Sequence, residues 1–433
     1  MTDSNSSRAL VLEMLLLTLK DKKSSSSVLK DVLDKYAYLP KTERAFITRL
    51  YLGTIERTCE LDYYLNKVSN TPVNKMKPVI RNILRMGAYQ VFYMDSVPDS
   101  AICNEAVNLA GKRGFKNLKG FVNGVLRNLL RNKESITLPT KDNMTEYLSV
   151  TYSIPEEIIK VLRESLTDEA IESIGKAALI ERPVTVRVNT YKTTPNKLKE
   201  KLINLGITVK PVPDFKDVFF ISGMDSLESI DAFNEGEFFV QDLASIKAID
   251  AIGIKPNDTI LDVCAAPGGK SISASLYLEG KGSILSRDLT DRKVALIEDN
   301  IERLSIDLIK TESFDALKYD DGSKEKFDVV IADLPCSGLG VIAKKPDIKY
   351  NITVKDVEEL SKLQADILKN VRDYVRPGGT LCFSTCTLTK KENDDNLLKF
   401  LDENKNYKLL EKKQIIPNED EDGFFYAVLR KES

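Results

Sequence analysis

Residues 259–271 read T-I-L-D-V-C-A-A-P-G-G-K-S. An apolar run ends on an aspartate, a turn of small residues follows, and a helix opens behind two glycines. Ligands of open α/β sheets bind at the carboxyl ends of strands, where such a turn lets the backbone come close. The turn is not G-x-G-x-x-G, which counts against a nicotinamide cofactor. It is not a P-loop either, because the leading glycine of G-x-x-x-x-G-K-[ST] is missing ahead of Ala265 and Ala266. The next strand ends in Asp288, 20 residues after Gly268, and an acid there accepts the hydroxyls of a ribose. The site suits a nucleoside-bearing ligand without a pyrophosphate. S-adenosyl-L-methionine fits, since its sulfonium and amine are cationic and Asp262, Asp288, Asp315 and Asp333 close successive strands.

Working outward, residues 246–433 alternate apolar strands with helices. The strands are T-I-L-D-V, S-I-L-S-R-D, F-D-V-V-I-A-D and T-L-C-F-S-T-C, with D-R-K-V-A-L-I-E-D-N-I-E-R-L and L-Q-A-D-I-L-K-N-V-R-D-Y-V between them. That pattern predicts a doubly wound, Rossmann-like, mostly parallel sheet. Y-K-L-L and F-F-Y-A-V-L-R at the end predict an antiparallel edge hairpin. Residues 146–245 read as a small α/β module, able to hold RNA or merely to bridge its neighbours. Residues 1–145 read as helices throughout, one of them running through R-A-F-I-T-R-L-Y-L-G-T-I-E-R and on to L-D-Y-Y-L. Outside Ser24–Ser27 there is no low-complexity tract.

The chain has 433 residues, 42% of them hydrophobic and 30% charged, which is an ordinary soluble globular composition. Residues 1–145 carry 23 Lys+Arg against 14 Asp+Glu, a balance of +9, while the remainder balances at −11. A basic domain joined to an acidic one suggests that the first part meets a polyanion. Lys112, Arg113, Lys116, Lys119, Arg127 and Arg131 gather on and before the last helix of that part. The six cysteines include no C-x-x-C pair and there is no histidine, so the usual zinc sites and a cysteine–histidine pair are excluded. The cysteine density is too low for a disulfide framework, which points to a reducing, cytoplasmic compartment. A-L-V-L-E-M-L-L-L-T-L is too short to span a bilayer and lacks the marks of a signal peptide. The expectation is a monomer with no metal and no membrane contact.

Two thiols stand apart, Cys336 in A-D-L-P-C-S-G (332–338) and Cys386 in L-C-F-S-T-C-T (381–387). A free cysteine is most often a small core residue, the reading kept for Cys59, Cys103, Cys382 and the side chain of Cys264. Cys386 instead ends a strand among Ser384, Thr385 and Thr387. D-V-C-A-A-P-G-G-K, A-D-L-P-C-S-G-L-G and F-S-T-C-T-L resemble the motifs of the RNA 5-methylcytosine methyltransferase family. R-L-Y-L-G-T-I-E-R, M-G-A-Y-Q-V-F-Y-M-D-S-V-P and K-N-L-K-G-F-V-N-G-V-L-R-N resemble a NusB-like RNA-binding domain.

The resemblance covers essentially the whole chain. It implies methylation of carbon 5 of a cytosine in 16S rRNA, with Cys386 as nucleophile and Cys336 assisting product release. Asp333 would contact the cytosine edge beside the cofactor. Cys264, Ala265, Ala266, Pro267, Gly268, Gly269, Lys270, Asp288 and Asp315 would line the S-adenosylmethionine pocket. The chemistry needs no imidazole, but a free thiol is only a few per cent ionised near neutrality. Lys270, Lys344 and Lys345 are the cations in these motifs that could favour a thiolate. Two other readings use the same fold: an amino-group methyltransferase, which has no use for a thiol, and a non-catalytic rRNA-binding assembly factor.

Overall fold

S-R-A-L-V-L-E-M-L-L-L-T-L forms helix Ser7–Leu19, in which Val11, Leu12, Met14 and Leu15 are fully buried. A helix apolar on so many sides has to be wrapped by others, and it is. The computed structural model describes residues 6–432, which pack as two units. One runs to Leu179 and includes Val341–Val354; the other comprises Ile180–Gly340 and the chain from Lys355 onward.

In the helical unit Ser7–Leu19 lies against Lys41–Glu56 and Pro78–Tyr93. Gly53 marks a close crossing, because a Cβ there would fall 2.0 Å from the Tyr89 ring. The stretch expected as one helix from R-A-F-I-T-R to L-D-Y-Y-L is two, Lys41–Glu56 and Thr58–Val68, broken at Arg57. The break is fixed from far along the chain. The first N–H groups of a helix lack internal partners, and Ser153 Oγ accepts those of Cys59 and Glu60 at 2.9 and 3.2 Å. The serine run Ser24–Ser27 is no linker; it opens helix Ser25–Lys35.

Val341–Val354, though encoded between strands of the other unit, packs with these helices. Lys349 is buried and its Nζ donates to the Glu56 carbonyl at 3.0 Å, while Tyr350 donates to the Ser153 carbonyl at 3.1 Å. Burial pulls the Lys349 ammonium down to about 8. Asp347 accepts a short hydrogen bond from Ser25.

The second unit begins with strands β1 (Val184–Val188), β2 (Thr208–Pro211), β3 (Val218–Ser222) and β4 (Phe238–Val240), an antiparallel sheet in the order β2-β3-β1-β4. A seven-stranded sheet follows: β5 (Thr259–Asp262), β6 (Ser283–Asp288), β7 (Ile309–Ser313), β8 (Phe327–Asp333), β9 (Val375–Thr385), β10 (Tyr407–Ile415) and β11 (Phe424–Lys431). Its order is β10-β11-β9-β8-β5-β6-β7, parallel from β7 to β9 and antiparallel at β11 and β10. The Rossmann-like sheet with an antiparallel edge, behind a helical domain, is the architecture expected from the sequence. The strand expected to close at Asp315 is β7, an edge strand whose outer residues are largely exposed, so its I-K-T-E-S carries little apolar pattern of its own. No described helix is long and apolar enough to cross a membrane.

Inside the helical unit Arg85 grips Asp62 with two hydrogen bonds of 2.7 and 2.6 Å. Burial pulls the Arg85 guanidinium down, but the Asp62 carboxylate outweighs this and holds it above its ordinary value. Removing one partner of a buried pair strands the other charge. Asp62→Ala is therefore expected to destabilise this unit by about 3–5 kcal/mol in urea unfolding followed by circular dichroism. The exposed change Lys30→Ala should stay within about 0.5 kcal/mol, and equal effects of the two would remove the pair from the account.

Candidate active site

The carboxyl ends of β5, β8 and β9 converge on one cleft. After β5 the chain turns through Val263–Gly268 into helix Gly269–Ser275. Gly268 takes φ +101°, a left-handed conformation that side chains other than glycine rarely adopt, and its N–H closes the turn on the Ala265 carbonyl at 2.6 Å. The cleft is lined by Gln241, Ser245, Asp262, Cys264, Ala265, Ala266, Pro267, Gly269, Lys270 and Asp333.

β8 and β9 are parallel neighbours with Asp333 opposite Ser384. Three residues beyond Asp333 comes Cys336, and two beyond Ser384 comes Cys386. The register therefore brings the two sulfurs together, and they lie 3.2 Å apart. Asp333 is held from both sides, by Ser384 Oγ at 2.8 Å and Lys270 Nζ at 2.6 Å. Gly340 N–H donates to the Cys386 carbonyl at 3.0 Å, an approach that leaves no room for a Cβ, which would meet Gly423 O at 2.1 Å.

Either sulfur can be the donor across that contact. The hydrogen bond to Cys386, and then burial, push Cys336 well above the ordinary thiol value. An S–H that donates to its neighbour stabilises a thiolate on that neighbour. Lys270 adds a positive charge: burial lowers its ammonium, but Asp333 outweighs burial and keeps it above its ordinary value, with Asp262 and Cys386 contributing in the same direction. Cys382 and Cys59 behave as core residues, pushed up by burial to about 12 and about 11.

Of the residues expected to hold the cofactor, Cys264, Ala265, Ala266, Pro267, Gly269, Lys270 and Asp333 line the cleft, and Gly268 shapes its turn. Asp288, at the end of β6, accepts the N–H groups of Ala266 and Leu289 at 2.9 and 2.7 Å and pairs with Lys293 at 2.9 Å. Asp315, beyond β7, accepts the Leu317 N–H at 3.0 Å and is not among the lining residues. Lys344 and Lys345 belong to the segment that packs with the helical unit. Gln241 and Ser245 escaped the sequence reading, since F-V-Q-D-L-A-S has no motif to distinguish it.

The donor set suits a cationic ligand. Gln241 Oε1 and Asp262 Oδ1 are buried acceptors with no hydrogen-bond partner among the described residues. Unsatisfied buried acceptors are uncommon, and both lie where a ligand's ammonium or sulfonium would supply what is missing. Asp262 has one oxygen on Ser271 Oγ at 2.7 Å, and Ser271 is joined to Ser286 at 2.7 Å. No cluster of described residues could hold a metal ion.

A sequence profile of the 16S rRNA methyltransferase RsmB/F family matches residues 250–430, and one of the NusB family matches residues 5–131. The chain is 35% identical, over 98% of each chain, to a Bacillus subtilis protein named "Probable ribosomal RNA small subunit methyltransferase B". It is 29% identical, over the full length of both, to Ribosomal RNA small subunit methyltransferase B of Salmonella arizonae. Among solved structures, PH0851 superposes with a TM-score of 0.82 at 24% identity, covering 100% of this chain and 99% of that one. A methyltransferase homolog protein from Pyrococcus horikoshii gives 0.59 at 24% identity, covering 66% and 98%. The last two are likenesses of fold.

Burial pushes the Asp262 carboxyl up to about 7, with the Ser271 hydroxyl opposing. An aspartate in the unfolded chain ionises near 4, so between about pH 4 and 7 the folded protein keeps a proton that the unfolded chain has released. Stability then falls as pH rises through that window. Asp262→Asn has no proton to lose. Its unfolding free energy relative to wild type is expected to improve by a few kcal/mol from pH 4 to pH 8, read from guanidinium denaturation. Parallel pH curves for the two proteins would show that Asp262 is not the buried acid responsible.

Proposed function

The chain belongs to the 16S rRNA methyltransferase RsmB/F family, and on that premise we propose that it methylates carbon 5 of a cytosine in small-subunit ribosomal RNA. The methyl donor is S-adenosyl-L-methionine, and catalysis proceeds through a transient bond between Cys386 and carbon 6 of the base. The observation that carries this reading is the pair of sulfurs 3.2 Å apart beside Asp333 and Lys270.

Cytosine carbon 5 is a weak nucleophile. A Cys386 thiolate that adds to carbon 6 turns the ring into an enamine and makes carbon 5 reactive, dividing one hard step into easier ones. Asp333, fixed by Ser384 and Lys270, contacts the cytosine edge, where its carboxylate accepts from the exocyclic amino group, and Lys270 beside it brings positive charge towards the ring that the addition loads with electrons. Asp262, Gln241 and the Cys264–Lys270 turn would hold S-adenosylmethionine, which when bound would supply an electrophilic methyl group for carbon 5.

Release follows from the contact between the thiols. Once Cys386 is bonded to carbon 6 it carries no charge and accepts no proton from Cys336. The leading cause of the raised Cys336 value is then gone. Cys336 can now give its proton to water and, as a thiolate, take the proton from carbon 5. The electrons of that C–H bond restore the ring double bond, and the bond from Cys386 to carbon 6 breaks. An amino-group methyltransferase would have no use for this pair.

The helical unit is the RNA-binding part on this reading. Lys112, Arg113 and Lys116 are exposed on it, with Arg113 paired to Glu13. A base inside a helix has to be flipped out, at a cost of a few kcal/mol, so a loop or a partly opened stem is the better substrate.

Cys386→Ser is expected to reduce methylation of small-subunit rRNA to background while leaving cofactor binding by calorimetry intact. Cys336→Ala should accumulate a protein–RNA species that survives denaturation. A Cys386→Ser enzyme with wild-type turnover would end the covalent reading. Replacing Lys112, Arg113, Lys116 and Lys119 by Gln should weaken RNA binding and flatten its salt dependence by up to about 0.7 per lost phosphate contact in log K against log salt. Cofactor affinity should not change; loss of both affinities together would mean unfolding.

A further inference from the structure

Glu392 has no exposed surface. It lies six residues beyond Cys386, in the turn that leads from β9 to helix Asp394–Glu403. Its Oε1 accepts the backbone N–H of Ser337 at 2.8 Å and the side-chain amide of Gln364 at 3.2 Å. Its Oε2 accepts the hydroxyls of Ser337 and Thr389, each at 2.6 Å, and that of Thr387 at 3.3 Å. Ser337 follows Cys336, and Thr387 follows Cys386. The hydroxyls of Ser337 and Thr387 also touch each other at 2.6 Å. Gln364 donates a second hydrogen bond, of 2.9 Å, to the carbonyl of Pro335, the residue before Cys336.

One carboxylate thus ties together the residues that follow the two cysteines, and through Gln364 it reaches the residue before Cys336. We propose that Glu392 is a positioning residue for methyl transfer, a clamp that holds the Cys336 loop against Cys386. The inference rests on the two-thiol reading above. Glu392 holds Ser337 and Thr387, the residues that follow the two cysteines, and its charge is also among the causes that raise Cys336. Its service falls on release, because the Cys336 sulfur must sit within proton-transfer reach of carbon 5 while Cys386 is bonded to carbon 6. A shift of about 1 Å in such a contact costs on the order of 10²-fold in rate.

The donors around the two oxygens differ, which makes the proposal selective. Those at Oε1 are N–H groups that can only donate. Those at Oε2 are hydroxyls that can turn and accept. A glutamine placed with its NH₂ on the hydroxyl side therefore preserves the clamp, whereas alanine removes every contact.

The test uses the full-length chain with a small-subunit rRNA transcript and S-adenosylmethionine. Single-turnover methylation, denaturing gels for a protein–RNA adduct, and cofactor calorimetry are compared for wild type, E392A and E392Q. E392A is expected to release product about 10²-fold more slowly and to accumulate the adduct, with unchanged cofactor affinity. E392Q should restore release. E392A that turns over like wild type, or that loses attack and release equally without rescue by E392Q, overturns the clamp. If E392A does not fold, the double variant S337A/T387V removes the hydroxyl contacts that join the residues after both cysteines to Glu392 and to each other, while the Ser337 N–H bond to Oε1 stays. It should accumulate adduct, and failure to do so likewise overturns the proposal. A fully active C386S would instead overturn the two-thiol reading beneath it.

Discussion

The constraint on which the site depends is the register between two parallel strands. β8 and β9 pair so that Asp333 faces Ser384, and both chains leave the sheet immediately beyond that rung. Two cysteines 50 residues apart in sequence are thereby delivered to the same point. A slip of one residue would turn Asp333 and Ser384 to the opposite face and separate the sulfurs. The rung is reinforced by the Ser384–Asp333 hydrogen bond and by the Leu334 N–H bond of 2.9 Å to the Ser384 carbonyl. Lys270, reaching over from the β5 turn, completes the lock on Asp333. One carboxylate thus joins the turn proposed to hold the cofactor to the strand end that carries the sulfurs.

Around that rung the chain arranges its buried charges by partner. Where a full partner is built in, as for Asp333 with Lys270 or Asp62 with Arg85, the group is spoken for. Several buried polar atoms of the described residues lack a hydrogen-bond partner, and two of them, on Asp262 and Gln241, lie on the proposed cofactor cleft. The thiols follow the same logic. The contact with Cys386 raises Cys336, and the proposed bond from Cys386 to the base would remove that contact.

Much of this was legible in the chain before folding. The glycine turn, the alternation of apolar strands with helices, the charged helical front and the two unusual cysteines are local features, written in consecutive residues. Other parts were not. Glu392 follows Thr389 with the T-x-x-E spacing of a helix-capping box, so its sequence setting advertises a helix start and not a clamp on a loop 55 residues earlier. The break at Arg57 depends on Ser153, and β7 shows too little apolar alternation to be delimited.

By itself, then, the amino-acid sequence determined the kind of sheet, the helical domain in front of it, and the residue types available for chemistry. Periodicity, turn chemistry and side-chain reactivity are properties of short segments. Only the tertiary structure decided which of those residues meet. It placed the unsatisfied acceptors of Gln241 and Asp262 on one cleft, brought Cys336 against Cys386, and made Glu392 the shared anchor of the residues that follow them. Those outcomes depend on strand register and on hydrogen bonds between residues tens of positions apart, and distance along the chain carries no information about either.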